Sequence, residues 1–204
     1  MPEIPKDQTL TLEQLVDFYL HKKISNKEGD LLSHKEHLEK FLSSLEDLTA
    51  YICGLNNVEK VPNVKKYVLN GHQKRPLNGK PHIINKMGEN LENIDKEKFD
   101  NFEELIDYVE ARREKFFGPT AIYDFALRYG WNREERIEPE KYVYVHAIPE
   151  DSAKILKELG YLKTVTRRIP ITDFPKEMRQ PGMTAKDIEN FLCVFHDEIL
   201  KLKG

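Results

Sequence analysis

The sequence predicts an all-α protein, a mainly helical single domain of about seven helices with at most one short strand near residues 142–147. Three observations predict it. Apolar residues recur every three or four positions through much of the chain, the spacing of one helix face. Several of these stretches open with Ser or Thr followed three residues later by Gln, Glu or Asp, a pattern that satisfies the free N–H groups of a first turn. Strict alternation, the mark of a strand, occurs at one place, Lys141–Ala147.

At roughly 100–200 residues per domain, 204 residues accommodate one domain with an arm, here read as an N-terminal helical arm at 1–25 and a single helical domain at 26–204. With 39% hydrophobic and 33% charged residues, a chain of this size builds a core without disulfides or a structural metal. The net charge of −3 excludes a globally basic nucleic-acid coat and an acidic disordered tail. No apolar run approaches the roughly 18 residues of a membrane span, and residues 1–7 lack the apolar stretch of a signal peptide. Cys53 and Cys193 each sit in an apolar pattern, as buried thiols of a cytoplasmic protein do.

The elements follow in order. Leu12, Leu15, Val16 and Tyr19 share a helical face, and Thr11 with Gln14 forms its capping box. Asn26–Asp30 reads as a turn. Ser33 and Glu36 cap a second helix through Leu38, Phe41, Leu42, Leu45, Leu48 and Ile52, closed by Gly54. Val64–Leu69 reads as a short helix, followed by a long loop containing two Asn-Gly pairs. Asp100 is the expected cap of a helix carrying Phe102, Leu105, Ile106 and Val109. Pro119 suits the first turn of the next helix, which Gly130 is expected to close. Tyr142–Ala147 is the strand, with Tyr142, Tyr144 and His146 on one face. Asp151–Leu159 is a helix ended by Gly160, and Tyr161–Gly182 reads as irregular. Thr184 and Asp187 open the last helix, whose buried face is Ile188, Phe191, Leu192, Phe195, Ile199 and Leu202.

Charge is segregated along the middle of the chain. Residues 60–88 hold seven Lys or Arg and no Asp or Glu, whereas residues 89–114 hold ten acidic and four basic residues, a balance of −6. The two segments either neutralise one another or present a basic face, with Arg167 and Arg168 adding to it. Lys and Arg clusters hold phosphates without sequence preference.

The break between two helices, Phe116-Phe117-Gly118-Pro119-Thr120-Ala121, resembles the hairpin of a helix-hairpin-helix motif across residues 100–130. Gly118 and Ala121 match its second glycine and its alanine, and Phe116 stands where its first glycine falls. The resemblance implies that backbone N–H groups of the corner hold a DNA phosphate, as the first turn of a helix does for anions in general. A longer resemblance joins Tyr123-Asp124-x-Ala126-x-Arg128-x-Gly130, Val143-Tyr144-Val145-His146-Ala147 and Ile188-Glu189-Asn190-Phe191-Leu192-Cys193, with His72-Gln73 before them. In this order they resemble a set of uncharacterised bacterial proteins, with departures at Ile148 and His196. That resemblance implies a shared fold and carries no activity with it.

Other chemistry finds little footing. His34 and His37 share a helix face, but no third ligand completes a metal set, and an exposed polar face is the expectation. There is no P-loop, nucleophile-elbow or dinucleotide glycine pattern, so no cofactor and no metal are expected. Three functions remain. The first is association with DNA or another nucleic acid, with Lys74, Arg75, Lys115, Gly118 and Thr120 as the phosphate contacts. The second is a helical scaffold that binds a protein partner, with no membrane involved in either case. The third is an enzyme built on Asp124, Arg128, Tyr144 and His146.

Overall fold

The computed structural model describes residues 10–25, 29–43, 81–115 and 117–203, with 81–85 as backbone, and among these described residues the helical periodicity becomes eight α-helices. They are α1 (Leu12–His21), α2 (His34–Ser43), α3 (Pro81–Asn90), α4 (Phe102–Ala111), α5 (Pro119–Trp131), α6 (Ile148–Glu158), α7 (Ala185–Val194) and α8 (His196–Lys201). Two antiparallel two-stranded sheets accompany them, β1 (Ile24–Ser25) with β2 (Leu31–Leu32) and β3 (Tyr142–Tyr144) with β4 (Arg168–Pro170). The fold is therefore mainly helical, with small strands beyond the one the alternation predicts.

The described residues form two compact units, one drawn from the chain up to Lys40 and from Pro139 onward, the other from Phe41–Glu138. This division differs from an arm at 1–25 and one domain beyond it. In the first unit α1 buries Leu12, Leu15, Val16 and Tyr19 in the same core as Ile188, Phe191 and Leu192 of α7. Phe191 and Phe195 stack at 5.1 Å, and Tyr19 meets both edge-on. Each such pair adds about 0.5–1.5 kcal/mol beyond its buried area. Val143 of β3 and Ile169 of β4 pair directly and are both in that core.

In the second unit α4 ends at Ala111 with Arg112 as its C-cap, and α5 starts at Pro119 with Gly118 as its N-cap. Leu105, Ile106 and Val109 of α4 and Ile122, Phe125 and Ala126 of α5 are buried, and Phe102 meets Tyr123 edge-on at 5.9 Å. Trp131 Nε1 donates to Ser43 Oγ (3.0 Å), and Asn132 Nδ2 donates to the Leu42 carbonyl (2.9 Å), fixing the end of α2 on the end of α5.

Several expectations need correction. Residues 81–88 lie in α3 and not in a loop, with Met87, Leu91 and Ile94 buried at helical spacing. The two Asn-Gly pairs that suggested a loop all precede Pro81. Asn101, one residue after Asp100, caps α4 by accepting the Glu104 N–H (3.0 Å). Gly130 lies inside α5, which continues to Trp131. Arg168–Pro170 is a strand inside the stretch read as irregular, because pairing with β3 overrides its local composition. The last helix breaks at Phe195. The predicted helix at 64–69 and the end of the second helix beyond Ser43 lie outside the described residues.

Candidate functional site

The corner between α4 and α5 is built by helix ends. Arg112 closes α4, and its carbonyl accepts Asn90 Nδ2 at 2.8 Å, tying the corner to the end of α3. Phe117 is buried and anchors the turn from below. Gly118 then stands as the N-cap of α5 in extended backbone (φ −76°, ψ 173°), with Pro119 in the first turn and no capping side chain. A Cβ placed on Gly118 meets no atom within 4 Å, so the corner faces open space at this point. Gly118 and Thr120 are half-buried, and Lys115 is exposed.

The charges around the corner are mixed. Lys86 pairs with Glu114 at 3.2 Å, and Arg113 with Glu110 at 3.8 Å. Arg112 lies 3.4 Å from the Tyr108 ring centre and donates Nη1 to the Tyr108 carbonyl. Two of the cations at the corner are thus already matched by carboxylates. Of the five expected phosphate contacts, Lys115, Gly118 and Thr120 come together here. Lys74 and Arg75 lie outside the described residues.

The four residues of the enzymatic reading fall in both units. Asp124 and Arg128 belong to the second, where Arg128 is buried with its guanidinium 4.5 Å from the Phe41 ring centre. Tyr144 and His146 belong to the first. Tyr144 is buried, with the Arg168 guanidinium 5.3 Å from its ring centre. His146 Nε2 lies 3.9 Å from Glu189 Oε1, a pair in which both side chains are largely buried. The next residue, Ala147, has φ +50° and ψ −123°, a conformation that favours glycine, at the point where the chain turns into α6.

Side-chain sets that the sequence did not signal also appear. Ser152 Oγ donates to the Leu192 carbonyl (2.7 Å) and lies 2.9 Å from His196 Nδ1. The single hydroxyl hydrogen is used on the carbonyl, so His196 must donate Nδ1–H to Ser152. The imidazole is then no base toward this serine, and the pair fastens α6 to the end of α7. A cleft of about 520 Å³ is lined by Asp95, Lys98, Phe99, Asp100, Asn132, Arg133, Glu134, Glu135 and Ile137. Inside it Arg133 Nη1 donates to Tyr129 Oη (2.8 Å), which donates to Asp95 Oδ1 (2.8 Å). Burial, followed by the bond to Asp95, raises the Tyr129 phenol well above its ordinary value. Four carboxylates against two cations set this cleft apart from a phosphate site. The four-residue spacing of Tyr129 and Arg133 is the feature of the sequence that could have pointed to it.

Two side chains depart from expectation. Cys193 is half-buried, where a buried thiol was expected, and Cys53 lies outside the described residues. His34, expected on an exposed polar face, is buried with 7% of its surface exposed, because α2 lays its first turn on α1 and the α7–α8 junction. Among the described residues no group of three or more His, Cys, Asp or Glu is gathered to hold a metal ion, and no helix is long and apolar enough to cross a membrane. Comparison of the chain with protein-family models, curated proteins and solved structures returns no match.

Proposed function

We propose that the protein associates with nucleic acid, its α4–α5 corner receiving backbone phosphate and the basic segment at residues 60–88 adding cationic contacts through Lys74 and Arg75. The observation that carries this reading is the start of α5. Gly118 brings no capping side chain and faces open space, and Arg112, Arg113 and Lys115 lie three to six residues before it, with Glu114 among them. A helix start of this kind favours an anion through its N–H groups and its dipole. The setting proposed is the cytoplasm, where Cys53 and Cys193 stay reduced.

The test uses a labelled 20-base-pair duplex and the full chain. Binding is expected at about 50 mM salt, with log affinity falling linearly against log salt. Gly118→Ala is expected to weaken binding about tenfold by holding phosphate away from the backbone, a loss on the order of 1.4 kcal/mol. Lys74→Ala with Arg75→Ala is expected to lower the salt slope by about 2. No duplex or single-strand binding at about 50 mM salt overturns the proposal.

We also infer a shared fold with the bacterial proteins that the chain resembles. In this chain Tyr123, Ala126, Val143, Val145, Ile188, Phe191 and Leu192, all within the resembling segments, are core positions. Positions of that kind carry architecture and not chemistry.

A further inference from the structure

His34 occupies a slot that suits it only when neutral. Its ring stacks on Tyr19 of α1 (centroids 6.2 Å apart, planes within 9°) and meets Phe195 edge-on at 5.1 Å. Nε2 is buried and has no hydrogen-bond partner among the described residues. We propose that His34 is a protonation-sensitive latch, holding the first turn of α2 on α1 and the α7–α8 junction when neutral and releasing it when charged.

The groups facing the slot give the charged ring no compensation. Tyr19 from α1 already donates its hydroxyl to Asp187 (3.3 Å) and accepts Asn190 Nδ2 (3.1 Å). Asp187 at the start of α7 accepts the Thr184 N–H (3.0 Å) and hydroxyl (2.6 Å), with Lys35 and Lys186 each at 3.8 Å. Phe195 brings only an aromatic edge. On α2 itself His37, one turn along, opposes a second positive charge. Burial first, and His37 second, lower the His34 imidazole from 6.5 to about 4.

The remaining ties of this turn survive mild acid. Glu36 accepts the Ser33 N–H (2.6 Å) and contacts Lys23, and these bonds, the Lys23 one foremost, hold its carboxyl at about 2. His37 Nε2 lies 3.3 Å from the Ile24 carbonyl, so it donates there whether neutral or charged. Lys35 Nζ donates to the Gly182 carbonyl at 2.5 Å. His34 is thus the group in this turn whose charge changes against the fold between pH 6.5 and 4.

The sign follows from linkage. A folded-state value below the open-state value means that the open form binds the proton first. Stability is therefore complete above pH 6.5 and is lost as pH falls toward 4. The opening constant rises by up to about tenfold per pH unit across that window.

The test is amide hydrogen exchange and imidazole NMR on the full chain. The His37 amide, bonded to the Ser33 carbonyl at 2.9 Å, reports the first turn, and the Phe195 amide, bonded to Phe191 at 2.9 Å, reports the core. Corrected for intrinsic rates, opening at His37 is expected to rise about 50-fold from pH 7.5 to 4.5 and at Phe195 by less than about fivefold. In His34→Phe, which refills the slot, the rise at His37 is expected to fall below about threefold. His34→Leu is the second variant. If neither variant folds, the wild-type ring decides, with titration below about pH 5 supporting the latch. Titration near 6.5, an equal rise at Phe195, or an undiminished rise in a folded variant overturns it.

Discussion

The starts of α7 and α5 meet the same electrostatic problem in opposite ways. At α7 the first turn is closed from within: Asp187 accepts the Thr184 N–H and hydroxyl, takes the Tyr19 phenol and sits beside two lysines. At α5 the cap is Gly118, followed by a proline, with no capping side chain and open space where a side chain would stand. One start is committed to holding the core together and the other carries no side-chain cap. Helix starts in one chain therefore differ in how their first turns are closed, and the capping residue separates them.

The comparison can be broken most forcefully at Asp187. Asp187→Ala removes the carboxylate that Thr184 donates to, leaves the Tyr19 hydroxyl without its acceptor and takes the carboxylate from beside Lys35 and Lys186. It is expected to cost about 3–5 kcal/mol, read as a shift in the urea midpoint with unchanged slope. A loss under about 1 kcal/mol would show that α7 is not locked from within.

The next effect lies at the far end of α5 and sharpens the contrast between its two glycines. A Cβ on Gly130 would fall 2.2 Å from the Ile137 carbonyl oxygen and 3.1 Å from Leu105 Cδ2. The Ile137 N–H also donates to the Gly130 carbonyl at 2.9 Å, so the loop cannot withdraw without losing that bond. Gly130→Ala is expected to destabilise by about 2–3 kcal/mol. Gly118→Ala, in open space and extended backbone, is expected to change thermal stability by less than about 0.5 kcal/mol while weakening duplex binding. Equal stability losses at both positions would erase the distinction between a glycine the fold needs and one it leaves open.

Between these two in size comes Ala147, the N-cap of α6, which also lacks a capping side chain. Its positive φ puts a Cβ where glycine is at ease. Ala147→Gly is expected to stabilise the protein by about 1 kcal/mol in thermal or urea unfolding, strain relief exceeding the added chain entropy. A destabilised Ala147→Gly would mean that the turn into α6 is not strained.

Much of this contrast was legible in the chain. Thr11 with Gln14 and Ser33 with Glu36 form the reciprocal bonds their spacing announces. Gly118-Pro119 marks the start of α5, and Gly160 follows α6 with φ +81° as a helix-closing glycine does. Less legible were features that depend on residues far away in sequence. Arg168–Pro170 is a strand because β3 lies beside it. His34 is buried because Tyr19 and Phe195, one on either side of it in sequence, close around it. The cleft at Asp95 and Arg133 joins segments nearly 40 residues apart.

By itself the sequence determined the helical class, the approximate positions of α1, α4, α5, α6 and α7, and the capping pairs Thr11 with Gln14, Ser33 with Glu36 and Thr184 with Asp187. These depend on residues within one or two turns of each other, where backbone bonding and side-chain spacing act directly. Only the tertiary structure decided which polar groups would be buried. It enclosed His34, gave Asp187 its partners from α1 and α2, and made Gly130 indispensable and Gly118 open. Burial is set by what packs on a residue from elsewhere in the chain, and local periodicity carries no record of that neighbour.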